Sequence, residues 1–287
     1  MKAWDRQRPS PGDLVIDHVG HFVPDLKAAG ELLEALGFTP SPISHHQVKG
    51  EPAGTANRCL MFERGYVEIL APTLDTPNAR RVRNHMARYD GVHLVCFGTP
   101  DAEAEHRRLA ANGFDPEPLV RLQRTVSDGR TVRFNVIYVP PERMPEARVQ
   151  YCEHLAPEVI WLEEHVAHPN GAKALGDVYI VADDPPRDAA RWALFSGCLP
   201  RPDGELVRLD TSRGSVFLGT REALSRLLPV VPQAPAVAAF QLRVAAPGEF
   251  AARCLDAGLE LFDTPRGGCV ALPPELGGCW LFRPSEG

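Results

Sequence analysis

Four side chains in this 287-residue chain have the types and spacing to do chemistry together: His18, Glu68, His93 and Glu153. The glutamates sit in near-copies of one segment, Tyr66-Val-Glu-Ile-Leu-Ala-Pro72 and Tyr151-Cys-Glu-His-Leu-Ala-Pro157, and each trails its own histidine, in Asp17-His18-Val19 and Val92-His93-Leu94. A lone histidine on an apolar strand is more often a core group than a ligand. Matching His and Glu pairs in a repeat call for a shared role, and two imidazoles with two carboxylates make a ligand set for one divalent cation.

The elements that must position them repeat in parallel. His18 to Asp25 is seven positions and His93 to Asp101 eight; His18 to Gly37 is nineteen and His93 to Gly113 twenty. Asp25 and Asp101 open helix-like stretches as N-caps, and Gly37 and Gly113 stop them. Apolar β-rich runs precede each helix. Three more strand-like runs follow, near 42–49, 56–63 and 66–71 in the first unit and near 118–126, 131–139 and 148–155 in the second. Arg64-Gly65 and Ser127-Asp-Gly-Arg130 supply turn signals within the two units. The order is β-α-β-β-β, with residues 160–172 reading as a connection.

The pattern returns twice, more weakly. A strand at 178–181 leads into a helix at 185–195, then strands near 205–210 and 214–218; a strand at 238–244 leads into a helix at 249–257, then strands near 259–263, 268–272 and 278–283. The histidine places hold Val178 or Tyr179 and Gln241, and the closing strand has no glutamate. The expectation is an α+β chain of four βαβββ modules in two tandem domains: a metal-binding one at 1–172 and one at 173–287 without metal ligands.

Composition excludes other classes. Net charge is −6 and 44% of residues are hydrophobic; the pI is near 5.9. No clustered basic face suggests nucleic acid, and no run approaches the ~18 apolar residues of a membrane span. The first residues lack the apolar stretch of a signal peptide, so a cytoplasmic protein is expected. Seven cysteines, an odd number with no CxxC pair, read as buried free thiols without catalytic duty.

These residues resemble the vicinal oxygen chelate superfamily, which includes glyoxalase I and extradiol dioxygenases. More narrowly, the first 172 residues resemble its glyoxalase-like domain family. The carrying tokens are Ile16-Asp-His-Val19 with Asp25-Leu26, Gly54-Thr-Ala-Asn-Arg58, the two glutamate segments and His168-Pro-Asn-Gly-Ala172. The resemblance implies open, cupped mixed sheets with His18, Glu68, His93 and Glu153 pointing into the cup at a Zn, Ni, Mn, Co or Fe ion. It implies a lyase or isomerase acting through an enediolate-type intermediate on a small substrate with vicinal oxygens, Glu153 serving as the mobile base. The alternatives are an extradiol-type ring-cleaving dioxygenase and a non-catalytic small-molecule binding protein. Both ligand-bearing modules lie in one chain, so a monomer or a homodimer could carry a complete site.

Neighbouring residues are sorted by strand alternation. His21 and His154 are expected to face away from the ligands, although a β-bulge would exchange His154 with Glu153. One of His45 and His46 faces the cup. Arg58 is a substrate-binding candidate able to hold a carboxylate or phosphate, and His168 another if its loop hangs over the cup.

Overall fold

A computed structural model describes residues 3–48, 50–125 and 129–285. The expected turn at 127–130 therefore lies largely outside the described residues. Eight strands form the first sheet: β1 (Val15–Phe22), β2 (Ser44–Val48), β3 (Glu51–Met61), β4 (Tyr66–Pro72), β5 (Gly91–Gly98), β6 (Val120–Thr125), β7 (Thr131–Tyr138) and β8 (Arg148–His154). Their order is β2-β3-β4-β1-β5-β8-β7-β6. Eight more form the second: β9 (Ala172–Val181), β10 (Pro200–Asp203), β11 (Leu206–Asp210), β12 (Ser215–Gly219), β13 (Ala236–Val244), β14 (Leu261–Thr264), β15 (Gly267–Ala271) and β16 (Cys279–Pro284). Its order, β10-β11-β12-β9-β13-β16-β15-β14, repeats that of the first. This is an α+β chain of two tandem cupped domains, each made of two βαβββ modules.

The helices are α1 (Leu26–Ala35), α2 (Pro77–Met86), α3 (Ala102–Ala111), α4 (Glu163–Val166), α5 (Pro185–Ser196), α6 (Arg221–Ser225) and α7 (Pro247–Asp256). The Asp25 carboxylate accepts from the N–H groups of Lys27 and Ala28, and Asp101 accepts from Ala104. Both caps were legible as N-cap aspartates. Strands β1 and β5 are buried along their whole length, as central strands covered on both faces must be.

Alternate residues on each strand separate two environments. Val19, Val67, Val95 and Tyr151 join one core with α1, α3, α5 and α7 and with second-sheet residues such as Val178, Phe240 and Trp280. The other face of the first sheet is the cup. Its far end is filled by Phe22, Leu70 and Val82, the last from α2.

The two domains share this core. Trp280 packs edge-on to His21 and Phe38, at ring-centre distances of 5.9 Å each. His21 is held at both nitrogens, Nε2 donating to the Leu276 carbonyl at 2.6 Å and Nδ1 accepting from Trp280 Nε1 at 3.4 Å. Burial pushes its pKa down to about 4, so it is a neutral structural group facing away from His18, as alternation predicts. Trp280 is 1% exposed. Replacing it with alanine is expected to cost about 3–5 kcal/mol, read as a fall in the urea midpoint of the full chain; a loss below about 1 kcal/mol would show that the domains do not share a core.

Candidate active site in the first cup

Strand register decides which side chains the cup receives. On β4 the cup-facing residues are Tyr66, Glu68 and Leu70, whereas Val67, Ile69 and Ala71 enter the core. On β8 the aromatic ring of Tyr151 takes a core place against Phe97 and Phe195. Residues of the opposite parity, Arg148, Gln150, Cys152 and His154, therefore face the cup. Glu153 shares the parity of Tyr151. Its Oε2 accepts from Asn135 Nδ2 at 2.7 Å and from the Ala102 N–H at the start of α3 at 3.4 Å. The two glutamate segments match in letters and face opposite ways.

His18, Glu68, His93 and Glu153 are accordingly not brought to one point. His18 and Glu68 share the cup. His93, fully buried at the apolar end, donates from Nε2 to the Tyr89 carbonyl at 2.9 Å and lies against Phe22 and Tyr89. Burial pushes its pKa down to about 3, and its Nδ1 has no hydrogen-bond partner among the described residues. Among the described residues, the donors close enough to hold one cation are Asp17, His18 and Cys96, whose ligating atoms all lie within 4.8 Å of one another. Carboxylate, imidazole and thiolate together suit a borderline-soft ion such as zinc.

The base of the cup is built on Asp17, which is 0% exposed. A shift in the β1–β5 register between Ile16 and His18 accompanies it. His18 Nδ1 lies 2.7 Å from its Oδ2 and His154 Nε2 3.0 Å from the same oxygen. Burial alone would raise the Asp17 pKa; the charge and hydrogen bonds of His154 and His18 overcome it and hold the group well below the carboxylate range. For His154, burial opposes protonation, but Asp17 and Cys152 raise its pKa well above the usual value. With Nδ1–H directed at Asp17, His18 leaves its Nε2 lone pair free, the arrangement by which a carboxylate orients an imidazole ligand or base. The Tyr66 ring stacks on His18 at 4.3 Å.

Glu68 stands further up the wall, half-buried, its Oε1 accepting from Asn57 Nδ2 at 2.6 Å. Burial would raise its pKa; His46, His18, Asn57 and Arg148 together lower it, leaving an ionised carboxylate with Oε2 to spare. Of the adjacent histidines it is His46 that turns inward, to Thr55 Oγ1 at 2.9 Å.

The substrate-binding candidates lie elsewhere. Arg58 reaches α1, its Nε donating to the Ser41 carbonyl at 2.9 Å and Nη2 to Glu34 at 3.0 Å. His168 pins the interdomain connection: its Nδ1 accepts from the Thr39 N–H at 3.0 Å and Nε2 donates to the Met61 carbonyl at 2.8 Å. Burial pushes its pKa down to about 4.

Sequence reasoning passed over α2, which crosses the cup and brings His85 to 5.8 Å from His93, centre to centre. Its signal is Thr76-Pro77, an N-cap followed by proline at the first helical position. Thr76 Oγ1 accepts from the Ala79 N–H and donates to the Ala53 carbonyl at 2.6 Å. Gly54, at φ +78°, leaves the room; a Cβ there would lie 2.3 Å from Thr76 Oγ1.

The sequence profile of the glyoxalase-like domain family matches residues 16–195, well over half of the chain. The chain belongs to the glyoxalase-like domain family. No curated protein shows significant similarity to it. Among solved structures, a hypothetical protein from Staphylococcus aureus superposes with a TM-score of 0.67 at 12% identity, covering 95% of this chain and 100% of that one. A triple mutant of 4-hydroxymandelate synthase from Streptomyces coelicolor gives 0.56 at 14%, covering 94% and 92%. These likenesses are ones of fold: tandem cupped domains on the plan of the vicinal oxygen chelate superfamily. No described helix of this glyoxalase-like chain is long and apolar enough to cross a membrane.

The Asp17–His154 pair sets a pH dependence with two limbs. The raised His154 pKa adds stability that is complete below its unfolded value of 6.5 and lost as pH climbs through the folded value. The depressed Asp17 pKa adds stability present above 3.8 and lost on strong acidification. Asp17→Asn, which leaves a buried imidazolium unpaired, is expected to cost about 3–5 kcal/mol at neutral pH. It should also abolish the alkaline limb. Urea unfolding across a pH series checks both, and an unchanged alkaline limb would refute the pairing.

Proposed function

We propose that the first domain is a glyoxalase-like lyase or isomerase that moves a proton between adjacent carbons of a small substrate with vicinal oxygens. The observation that carries this reading is the pairing, in one cup, of an ionised, half-exposed Glu68 with a carboxylate-oriented His18. Glu68 Oε2 takes the proton from the carbon, the C–H electron pair moving toward the neighbouring carbonyl to give an enediolate, and the same oxygen returns the proton to the adjacent carbon. Asn57 holds Oε1 and so fixes the direction of Oε2. His18 presents Nε2 to the developing hydroxyl, with Asp17 stabilising positive charge on its ring. The role of base that the resemblance gave to Glu153 falls here to Glu68, because Glu153 serves the α3 terminus on the other face.

Were a divalent ion held by Asp17, His18 and Cys96, it would occupy the imidazole lone pair and supply Lewis acidity to the substrate oxygen in place of His18 Nε2. The family's reliance on such ions supports this assignment, and the donor set favours zinc, cobalt or nickel over magnesium or calcium.

Glu68→Gln is expected to slow substrate α-proton exchange in D2O, followed by NMR, by at least about 10²-fold. Glu153→Gln should leave that rate nearly unchanged and lower stability by about 1–2 kcal/mol through its lost hydrogen bonds. The reverse ranking would return the base to Glu153. Cys96→Ser and His18→Ala should each weaken zinc binding to the metal-stripped full chain by at least about tenfold in calorimetry. Oxygen consumption with catechols by the iron-loaded chain would favour the dioxygenase alternative instead.

A further inference from the structure

Arg148 helps keep Glu68 ionised from a distance, but its guanidinium hydrogen-bond donors have no use in the fold or in the proton transfer. Gly20 pairs with both Glu68 and Leu94 across the sheet, and Leu94 pairs with Arg148. These four residues form one row, so the curl of the sheet sets Arg148 on the wall opposite Glu68. Gly20 forms the floor between them, where a Cβ would lie 2.7 Å from that of Leu94. The Arg148 guanidinium lies over the Tyr138 ring, 4.6 Å from its centre, and its charge is felt at Glu68 and at His85. Among the described residues it makes no hydrogen bond or ion pair. An arginine fork braced on an aromatic face, half-buried and without an acidic partner, is prepared to receive a carboxylate through two parallel hydrogen bonds.

A second polar atom is left open beside it. Gln150, two residues along the same face, is 6% exposed. Its Nε2 is directed at Cys96 Sγ, 3.8 Å away, and its Oε1 has no hydrogen-bond partner among the described residues. A buried acceptor of this kind awaits a hydroxyl donor.

We infer that the cup takes a small monocarboxylate with a hydroxyl on the next carbon, a 2-hydroxy acid, its carboxylate on Arg148 and its hydroxyl donating to Gln150 Oε1. One guanidinium facing an ionised Glu68 has room for a single negative charge; a phosphate dianion would meet Glu68 in repulsion. The inference names the substrate class for the proton transfer proposed above, the 2-hydroxy acid being the form in which the proton sits on the carbon beside the carboxylate and its removal giving the enediolate; it rests on that reading for the reaction, though not for the binding.

The test is calorimetric titration of the full chain with lactate, pyruvate, lactamide and inorganic phosphate. Lactate should bind, pyruvate should bind more weakly because it has no hydroxyl for Gln150, and lactamide and phosphate should not bind; pyruvate as tight as lactate would remove the Gln150 contact. Arg148→Met should weaken lactate by at least about tenfold, the value of a charge-assisted hydrogen bond, with Arg148→Lys between the two because a point charge lacks the fork. Circular dichroism and melting confirm that each variant is folded. Should Arg148→Met not fold, Arg148→Lys alone decides, and undiminished lactate binding in it would overturn the anchor. Binding of lactamide or phosphate as tight as that of lactate overturns it too, as does full affinity in Arg148→Met. The reaction is read separately by α-deuteration in D2O. Lactate held through Arg148 without deuteration would leave the anchor standing and remove the proposed reaction. Deuteration of the neutral hydroxyacetone at equal rate in wild type and Arg148→Met, without lactate binding, would do the opposite.

Discussion

A single carboxylate wholly removed from water organises the first domain. Burying Asp17 ionised would cost several kcal/mol without partners, and the chain meets that cost from three directions. His18 comes from the same strand, His154 from the last strand of the second module, and Arg213 from the second domain, its Nη2 4.0 Å from Oδ1. The carboxylate thus records whether both modules and the neighbouring domain are in register. Cup geometry follows from that closure, because Glu68 is fixed relative to Asp17 by the β1–β4 ladder and Arg148 by the β1–β5 and β5–β8 ladders.

The cup is graded in polarity along its length. At one end Phe22, Leu70 and Val82 adjoin neutral His93; midway stand ionised Glu68 and the Arg148 cation in the row of Leu94; at the base lies the Asp17–His154 pair. A ligand with one charged end meets a single orientation in such a trough. Reacting groups held by different strands of one sheet are also held rigidly, which favours proton transfer over a defined distance.

Element order, helix caps and the pairing of modules were legible in the sequence because they rest on local signals: Asp25 and Asp101 as caps, Gly37 after a helix, alternating apolar residues along strands. Orientation was less so. Tyr66-Val-Glu and Tyr151-Cys-Glu read as the same strand, but the side of the sheet that a strand's odd residues take is set by its partners. Tyr151 is drawn into the core by Phe97 and Phe195, which lie far away in sequence, and Glu153 goes with it. A shift of one residue exchanges every side chain between faces, so His154 fills the cup place that lettering gave to Glu153. Helix α2 escaped notice for a different reason: its exposed face is rich in arginine and its apolar stripe short, so the Thr76-Pro77 start stood without the periodicity that usually accompanies one.

Arg213 carries a consequence for descent. Its guanidinium, 8% exposed, leaves the β11–β12 turn to donate from Nε to the Ile16 carbonyl at 3.2 Å while standing beside Asp17. Tandem copies that have diverged are ordinarily free to be lost, since an independent copy can be deleted without harm to its neighbour. Here deletion would strip a counter-charge from the buried acid of the surviving copy. Selection on the first cup is thereby also selection on a hairpin in the second half of the gene, and the duplication, once this contact arose, became hard to reverse.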